Sequence, residues 1–238
     1  MNIVMPMAGK GQRFKDAGYD VPKPFIDVHG ATMYRRALSP FVTDMDQVIL
    51  VTQDDHQPHF EAEPDYVHQS KKVFLQGPTE GAACSVLAAR AFIDNEEPLL
   101  IVNCDQIIRY NRFNWAVMAN MPTVDGIIFT FPGTGPKWSY VRLDDTLKVS
   151  QVAEKVEISP FATCGAYWFR RGDIFCAAAD TMIEKDIRTN GEFYLAPVYN
   201  EVLTGFNLNI LPFMADQMIS LGTPELLKDY LSVRRLVT

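Results

Sequence analysis

The sequence predicts an α/β fold with a doubly wound, mixed and mostly parallel sheet, and two observations indicate it. Short continuous apolar runs, such as residues 48–51, are typical of strands that are buried on both faces of a parallel sheet. Predicted strands and helices also alternate from residue 2 to residue 131, which is the element order of a parallel α/β sheet. The chain has 238 residues, 47% of them hydrophobic, and is long enough for one large α/β domain or two small ones.

The first half of the chain supplies the alternating elements. Apolar runs predict strands at residues 2–7, 47–52, 73–75, 98–103 and 126–131. Helical patterns predict helices at residues 32–41, 54–61, 81–92 and 112–120. No low-complexity linker and no internal repeat interrupts this order.

Beyond Pro132 the pattern changes, because three predicted strands follow one another without helices between them. They are residues 140–143, 149–153 and 163–169, and a fourth strand is predicted at residues 208–211. Helices are predicted at residues 173–185, 195–203 and 224–236, the last of them with Thr223 as N-cap and Pro224 at its first position. We expect this half to be partly antiparallel and to pack on the first sheet, so that residues 1–238 form a single domain.

Charge and cysteine content argue against several classes of protein. The formal net charge of −7 argues against general binding to nucleic acid or to anionic membranes, which depends on an excess of lysine and arginine. The four cysteines lie far apart and form no Cys-x-x-Cys pair, so no metal cluster is expected. No signal-peptide pattern and no apolar run of membrane-spanning length is found, and we expect a cytoplasmic protein with reduced thiols and no membrane insertion.

The loop after the first strand is the most informative stretch. It contains Gly9 and Gly11, and it carries four cations, namely Lys10, Arg13, Lys15 and, between two prolines, Lys23. Glycines let the backbone approach an anion closely and fixed cations neutralise it, so the loop predicts a phosphate-binding site. The alternative is an ordinary strand-to-helix turn in which the glycines serve geometry alone.

Two common glycine loops do not match this stretch. The Walker pattern requires lysine and then serine or threonine after its last glycine, whereas Gln12 follows Gly11. The dinucleotide-binding pattern requires a third glycine where Phe14 stands. The sequence therefore supports neither a P-loop NTPase nor a Rossmann dehydrogenase.

Three predicted strand ends carry polar residues, at residues 9–23, 76–83 and 103–106. Ligands of open α/β sheets bind at the carboxyl ends of the strands, so we expect these segments to converge on one cleft. Asp105 ends a buried strand, where a carboxylate is costly unless it reaches a cation. It is therefore predicted to bind Mg²⁺, and the alternative is a helix cap or turn aspartate.

Three other groups of residues carry a weaker signal. Gln76 and Gly81 could contact a nucleobase, although composition alone favours a glycine-proline turn leading into a helix. Lys155 could hold a substrate phosphate as a point charge, although a solvated surface lysine is the commoner case. Glu192 and Tyr194 could line a second pocket, although aromatic residues in such a segment are more often part of the core.

Taken together, these residues resemble the signature of nucleotidylyltransferases that activate sugar 1-phosphates. The match begins with Gly9-Lys10-Gly11-Gln12-Arg13-Phe14 and Pro22-Lys23-Pro24, and it continues in order through Gln76, Gly81, Asp105, Glu154-Lys155, Gly165-Ala166-Tyr167-Trp168-Phe169, Glu192-Phe193-Tyr194 and Leu221-Gly222-Thr223-Pro224-Glu225. It spans nearly the whole chain and is similar to the short single-domain members found with bacterial capsule and surface-polysaccharide genes. The resemblance implies a Rossmann-like fold of the nucleotidyltransferase or glycosyltransferase-A type with a smaller antiparallel acceptor-binding portion.

The resemblance also implies a reaction and a set of roles. An NTP and a small phosphorylated acceptor would give an NDP-linked product and pyrophosphate, with residues 1–131 binding the NTP and residues 132–238 the acceptor. The implied residues are Ala8, Gly9 and Gly11 for the nucleotide, Arg13 and Lys23 for its phosphates, Gln76 and Gly81 for the base, Asp105 for Mg²⁺, Lys155 for the acceptor phosphate, and Asn103, Glu154, Gly165, Glu192 and Tyr194 for the acceptor. The pair Gln76 and Gly81 suits a pyrimidine, so CTP or UTP is expected.

One position departs from the family pattern. Many relatives carry an aspartate as a second Mg²⁺ ligand where Ser220 stands, and Asp216 is the nearby carboxylate that could replace it. A glycosyltransferase that uses nucleotide sugars, or a catalytically silent nucleotide-binding subunit, are the alternative functions. Whether the chain forms a homo-oligomer is left open.

Overall fold

A nine-stranded sheet forms the centre of the computed structural model, which describes residues 1–61, 63, 69–206 and 208–234. The strands of this sheet are β1 (Asn2–Pro6), β2 (Gln47–Gln53), β3 (Lys71–Leu75), β4 (Leu99–Val102), β6 (Gly126–Pro132), β7 (Ser139–Leu143), β8 (Val149–Glu154), β9 (Phe161–Phe169) and β10 (Ile210–Met214). Two further strands, β5 (Gln106–Arg109) and β11 (Gln217–Ser220), pair with each other as a separate antiparallel ribbon.

The sheet is mixed. Strands β1 to β4 are parallel on the side that carries the first loop, and β6 and β10 are parallel to each other at the opposite edge. Seven strands follow the order β10-β6-β9-β4-β1-β2-β3. Strand β1 runs parallel to β2 and β4, and β2 runs parallel to β3. Strand β9 is antiparallel to both of its neighbours, β4 and β6, and the β7–β8 hairpin joins it where Tyr140 lies opposite Ala162. These pairings confirm the predicted fold class.

Short helices connect the strands and cover the sheet. They are α1 (Gln12–Asp16), α2 (Met33–Leu38), α3 (Gln57–Phe60), α4 (Ala82–Leu87), α5 (Arg90–Ile93), α6 (Arg112–Ala119), α7 (Gly172–Glu184), α8 (Val198–Gly205) and α9 (Pro224–Arg234), with 3-10 turns at Lys23–Phe25 and Asp54–His56. The last two residues of the helix predicted at 224–236 lie outside the described residues. No described helix is long and apolar enough to cross a membrane.

Both faces of the sheet are buried, which explains the continuous apolar runs of its central strands. In β1, Val4 faces the cluster formed with α4, α7 and α8, whereas Ile3 and Met5 face the cluster that contains Tyr34, Trp115 and Phe129. Full burial of an aliphatic side chain of this size contributes about 1.5–3 kcal/mol. The two clusters therefore hold the strands in place, so that the loops at their carboxyl ends keep fixed positions.

Several local elements differ from the predicted ones, and the helix predicted at residues 54–61 is a 3-10 turn followed by the four-residue α3. The helix predicted at residues 81–92 is two short helices, because the Ala89 amide bonds to the Val86 carbonyl and tightens the chain into a turn. Helix α1 and the strands β5 and β11 were not predicted. All four cysteines are free thiols in the structure, and Cys104, Cys164 and Cys176 are buried.

Candidate active site

A divided cleft lies at the carboxyl ends of the parallel strands. It consists of two adjoining cavities with volumes of about 530 and 280 Å³, and both have Ala82, Asn103 and Asp105 in their walls. The structure thus brings the three strand ends, after β1, β3 and β4, to one place. The larger cavity is lined by the first loop, and the smaller one by residues from the second half of the chain.

The first loop forms one wall of the larger cavity. Gly11 has φ of 61°, in the left-handed region that favours glycine, and a Cβ at this position would lie 3.3 Å from the Lys23 Cβ. The Gln53 side-chain amide donates to the Ala8 carbonyl and fixes the start of the loop. The backbone amides of Gly9, Lys10 and Gly11 donate to none of the residues that the structure describes. These amides are therefore available to an anionic ligand.

Lys23 and Asp105 form an ion pair at the floor of the larger cavity. The Lys23 Nζ donates to the Asp105 Oδ2, and the two side chains are 19% and 22% exposed. Burial is the largest single effect and lowers the pKa of Lys23, but the charge of Asp105, that of Cys104 and the hydrogen bond to Asp105 together outweigh it, so the pKa lies above its ordinary value. The lysine is therefore a permanent cation beside the predicted metal-binding carboxylate.

Asp105 is held against the ribbon of β5 and β11. Its carbonyl accepts a hydrogen bond of 2.7 Å from the Leu221 amide. A Cβ added at Gly222 would lie 3.2 Å from the Asp105 Oδ2 and 3.5 Å from the Ser220 Oγ, so the carboxylate and the hydroxyl both face the space beside Gly222. This donor set of one carboxylate and one hydroxyl fits Mg²⁺, which binds proteins through one or two carboxylates and otherwise keeps water or substrate phosphates as ligands.

The second predicted metal ligand, Asp216, lies at the wrong end of the ribbon. Ser220 pairs with Gln106 beside Asp105, whereas Gln217 pairs with Arg109 at the opposite end. Asp216 lies four positions before Ser220, which along an extended chain corresponds to about 13 Å. Asp216 is exposed and lines neither cavity. Asp216 therefore lies apart from Asp105 in this structure, and its role as a second metal ligand stays a prediction.

Lys155 is the main cation of the smaller cavity. It has φ of 59°, and its amide donates to the Trp138 carbonyl over 2.9 Å, which sets the direction of the side chain. Its Nζ donates to the Tyr194 hydroxyl and lies 4.4 Å from the centre of that ring. Beside it, Glu154 accepts from the Ser139 hydroxyl, and burial raises the pKa of this glutamate. Lys155 and Glu154 thus place an ammonium and a carboxylate close together in this cavity.

Gly165 allows the wall between the cavities to close. Its φ is 75°, and a Cβ at this position would overlap the side chains of Gln106 and Asn103. Its carbonyl accepts from the Asn103 amide over 2.8 Å. Glycine is required here because both the left-handed backbone and the two amide side chains leave no room for a larger residue.

A second close approach joins the two sides of the cleft at Gly81. Its φ of 148° is confined in practice to glycine, and a Cβ would overlap the Phe193 backbone. The Phe193 amide donates to the Glu80 carbonyl over 2.9 Å, and the Ala83 amide donates to the Phe193 carbonyl over 3.1 Å. Glu192 lines the larger cavity and Tyr194 the smaller one, so this contact positions a residue in each.

Most residues that the sequence suggests for the site line the cleft. The larger cavity includes Ala8, Gly9, Gly11, Lys23, Gly81 and Glu192; the smaller one includes Arg13, Glu154, Lys155, Gly165 and Tyr194; Asn103 and Asp105 line both. Arg13 therefore lies on the side of Lys155 rather than on the side of Lys23. Gln76 is exposed and lines neither cavity, so its side chain does not face the space left for a ligand.

The sequence reasoning missed Lys137 and Trp138, which line the smaller cavity. The Lys137 Nζ lies 4.8 Å from the centre of the Trp138 ring. A lysine and a tryptophan directly after a Gly-Thr-Gly-Pro turn are the signal that could have identified them. Thr163, Tyr167 and Ser220 complete this wall and gave no pattern of their own.

Comparisons with known proteins agree on one kind of enzyme. The sequence model of a family described as Nucleotidyl transferase matches residues 2–194. Among solved structures, the chain is similar to a nucleoside-diphosphate-sugar pyrophosphorylase from Vibrio cholerae RC9, with 25% identity, a TM-score of 0.82, and coverage of 97% of this chain and 99% of that chain. It has the fold of a UDP-glucose pyrophosphorylase complexed with UDP-glucose, with 14% identity, a TM-score of 0.79, and coverage of 100% and 99%. A search of curated proteins found no match.

Proposed function

The chain belongs to the nucleotidyl transferase family, and on that premise we propose that it joins an NTP to a small phosphorylated acceptor and releases pyrophosphate. The acceptor class is a sugar 1-phosphate or a similar small phosphate, and the nucleotide is CTP or UTP. The product would serve as a precursor for capsule or surface polysaccharide. The similarity to a nucleoside-diphosphate-sugar pyrophosphorylase supports the acceptor class.

The observation that carries the proposal is the pair of cavities with a common wall at Asn103 and Asp105. Each cavity contains a lysine, Lys23 in the larger and Lys155 in the smaller. Two anionic substrates bound at these lysines would meet at the common wall. A transfer between two phosphorylated molecules requires this arrangement, because both substrates must be held at the same time with their reacting atoms close together.

The reaction requires that the two substrates are positioned and that the charge of their phosphates is neutralised. A phosphate oxygen of the acceptor attacks the α-phosphorus in line and forms the new P–O bond, while the bond to the bridging oxygen of the β-phosphate breaks and pyrophosphate leaves. The amides around Gly9 and the Lys23 ammonium would hold the triphosphate. Lys155 would hold the acceptor phosphate, and Arg13, exposed beside the smaller cavity, would neutralise charge that develops between the two.

Mg²⁺ fits this scheme at Asp105. The Asp105 carboxylate would hold the ion, with Ser220 beside it and substrate phosphates completing the ligand shell. When bound, the ion would supply positive charge to the phosphate oxygens during transfer. Glu154 is already hydrogen-bonded to Ser139, so its carboxylate is better suited to a hydroxyl group of the acceptor.

The residues that line the larger cavity beside the first loop would contact and select the base. These are Pro78, Thr79, Gly81 and Ser85, whose backbone and hydroxyl groups can face a base. The Thr79 hydroxyl lies 2.6 Å from the Ser85 hydroxyl and donates to the Gly81 carbonyl, which gives this wall a fixed polar pattern. The expectation of CTP or UTP no longer has the support of Gln76, whose side chain lies outside the cavity.

A screen of pyrophosphate release tests the proposal. The four NTPs would each be mixed with a panel of sugar phosphates and phosphorylated alcohols in the presence of Mg²⁺. We expect pyrophosphate to form with one NTP and only when an acceptor is present. A nucleotide-sugar-dependent glycosyltransferase would release no pyrophosphate, and a silent binding subunit would bind a nucleotide without turnover, so the two alternatives are separated by the same assay.

A further inference from the structure

The Lys23 side chain covers one of the two carboxylate oxygens through which Asp105 would hold a metal ion. Its Nζ contacts the Asp105 Oδ2, and four-fifths of each side chain is buried. The backbone at Lys23 is well anchored, because the next two residues, Pro24 and Phe25, are buried and Phe25 packs on Tyr34 and Phe60 at 5.5 and 5.0 Å. The ammonium can therefore leave Asp105 by rotation of its flexible stem and not by movement of the loop.

On the ribbon side, Gly222 and the Ser220 hydroxyl lie beside the Asp105 carboxylate, and neither carries a charge. Among the residues that the structure describes, no three His, Cys, Asp or Glu side chains are grouped so that they could hold a metal ion. The charges of Lys23 and Asp105 cancel within the pair, and the described residues form no cluster of three metal-binding side chains there that would attract a free divalent cation.

We infer that Lys23 keeps the Asp105 carboxylate closed to free divalent cations and releases it only when a nucleoside triphosphate binds. A free cation would have to displace the ammonium, and the lysine would remain partly buried without a counter-charge, which is costly. A triphosphate removes both obstacles, because it supplies oxygen ligands for the cation and a new anionic partner for Lys23. The inference rests on the proposed function in taking a triphosphate as the ligand of the larger cavity.

The consequence is that cation and nucleotide bind together. Each should raise the affinity for the other by the same factor, because the coupling between two ligands is reciprocal. Without nucleotide, a divalent cation at moderate concentration should leave the protein unoccupied. This differs from a site with two or more carboxylates, which collects a divalent cation by itself.

Binding of Mn²⁺ alone, followed by the electron paramagnetic resonance signal of the free ion, tests the inference in nucleotide-free protein. Wild type should bind weakly, and Lys23→Met, which keeps the length of the side chain and removes its charge, should bind about tenfold more tightly. Adding Asp105→Asn should abolish that gain. Lys155→Met is the matched control, because Lys155 contacts Tyr194 and not Asp105.

Circular dichroism would show whether Lys23→Met folds, and two further variants test the inference if it does not. Lys23→Arg retains the charge and should bind Mn²⁺ as weakly as wild type. Ser220→Asp adds a carboxylate beside Asp105 and should bind Mn²⁺ without nucleotide even if Lys23→Met does not fold. Equal affinity for Mn²⁺ in wild type and Lys23→Met would overturn the inference, and so would a gain in Lys23→Met that survives Asp105→Asn. If Lys23→Met does not fold, equal affinity in wild type and Ser220→Asp would overturn it.

These outcomes are distinct from a failure of the proposed function. If no NTP and acceptor release pyrophosphate, the proposed reaction fails, whereas the comparison of Mn²⁺ binding in nucleotide-free variants is unaffected. If pyrophosphate is released but wild type binds Mn²⁺ alone as tightly as Lys23→Met, the reaction stands and the role of Lys23 as a block on Asp105 fails.

Discussion

Replacing Gly81 by alanine tests the contact that joins the two sides of the cleft. Gly81 has φ of 148° and ψ of 174°, a conformation that is confined in practice to glycine. A Cβ at this position would overlap the backbone of Phe193, which cannot move aside as the end of a flexible side chain could. The substitution therefore forces Phe193 away from the segment that carries Gly81.

The size of the effect follows from what is lost. Two hydrogen bonds, from the Phe193 amide to the Glu80 carbonyl and from the Ala83 amide to the Phe193 carbonyl, contribute about 1 kcal/mol each. Backbone strain at a glycine-only conformation adds about 1–3 kcal/mol. The free energy of unfolding should fall by about 3–5 kcal/mol, which for a protein of this size lowers Tm by about 6–20 °C.

Thermal unfolding followed by circular dichroism measures this shift, and isothermal titration calorimetry measures nucleotide binding in the same variant. Gly77→Ala is the matched control in the same segment, since a Cβ there meets nothing within 4 Å. That variant should change the free energy of unfolding by less than about 1 kcal/mol. If Gly81→Ala melts at the same temperature as Gly77→Ala and binds nucleotide equally well, the contact does not hold the cleft together.

Three further predictions concern single side chains. Lys155→Met should raise the KM for the phosphorylated acceptor about tenfold or more and leave nucleotide affinity unchanged. Steady-state kinetics would check this, with Lys148→Met as the surface control. An equal change in the KM for the acceptor and in nucleotide affinity would contradict it. Arg13→Ala and Lys23→Ala should each lower turnover about tenfold or more through lost charge stabilisation, and unchanged turnover in both would remove the cationic-loop mechanism. Burial lowers the pKa of His56 below its ordinary value of 6.5. On acidification the unfolded chain therefore protonates this imidazole at a higher pH than the folded chain does, and the free energy of unfolding should fall as the pH drops below 6.5. Urea unfolding at about pH 7.5 and 5.5 should show that His56→Asn flattens this fall, and an identical slope in wild type and variant would refute it.

The central strands could be predicted because burial on both faces leaves a plain signal. Residues 48–51 and 99–102 are uninterrupted apolar runs, and they lie within β2 and β4. Hydrophobicity then reports the environment directly, because neither face of these strands meets water. The same reasoning located the carboxyl ends of these strands, and with them the position of Asp105.

Short elements without a pattern of their own could not be predicted. Helix α1 has five residues, too few to show a helical period, and it forms because Gly11 turns the chain and Phe14 is buried against Leu221 and Val28. Strands β5 and β11 have four residues each and depend on pairing between segments more than 100 residues apart. Such pairing is a tertiary contact, which local sequence patterns do not report.

The misplaced site residues fail for the same reason. Asp216 lies only four positions before Ser220 in sequence, but an extended strand carries it to the far end of the ribbon. Gln76 directly follows β3 and turns outward, whereas Gly81, five residues later, reaches the cleft through its contact with Phe193. Spacing along the chain thus identified segments that line one cleft and could not decide which of their side chains face its interior.

The most direct test of the account is to incubate the protein with an NTP, Mg²⁺ and a phosphorylated acceptor, and to measure pyrophosphate together with the mass of the nucleotide product. The two adjoining cavities predict pyrophosphate and an NDP-linked product in equal amounts, with neither formed when the acceptor is left out. Pyrophosphate without acceptor, or an NTP that stays intact with every acceptor tested, would contradict the claim that this cleft transfers a nucleotidyl group between two bound phosphates.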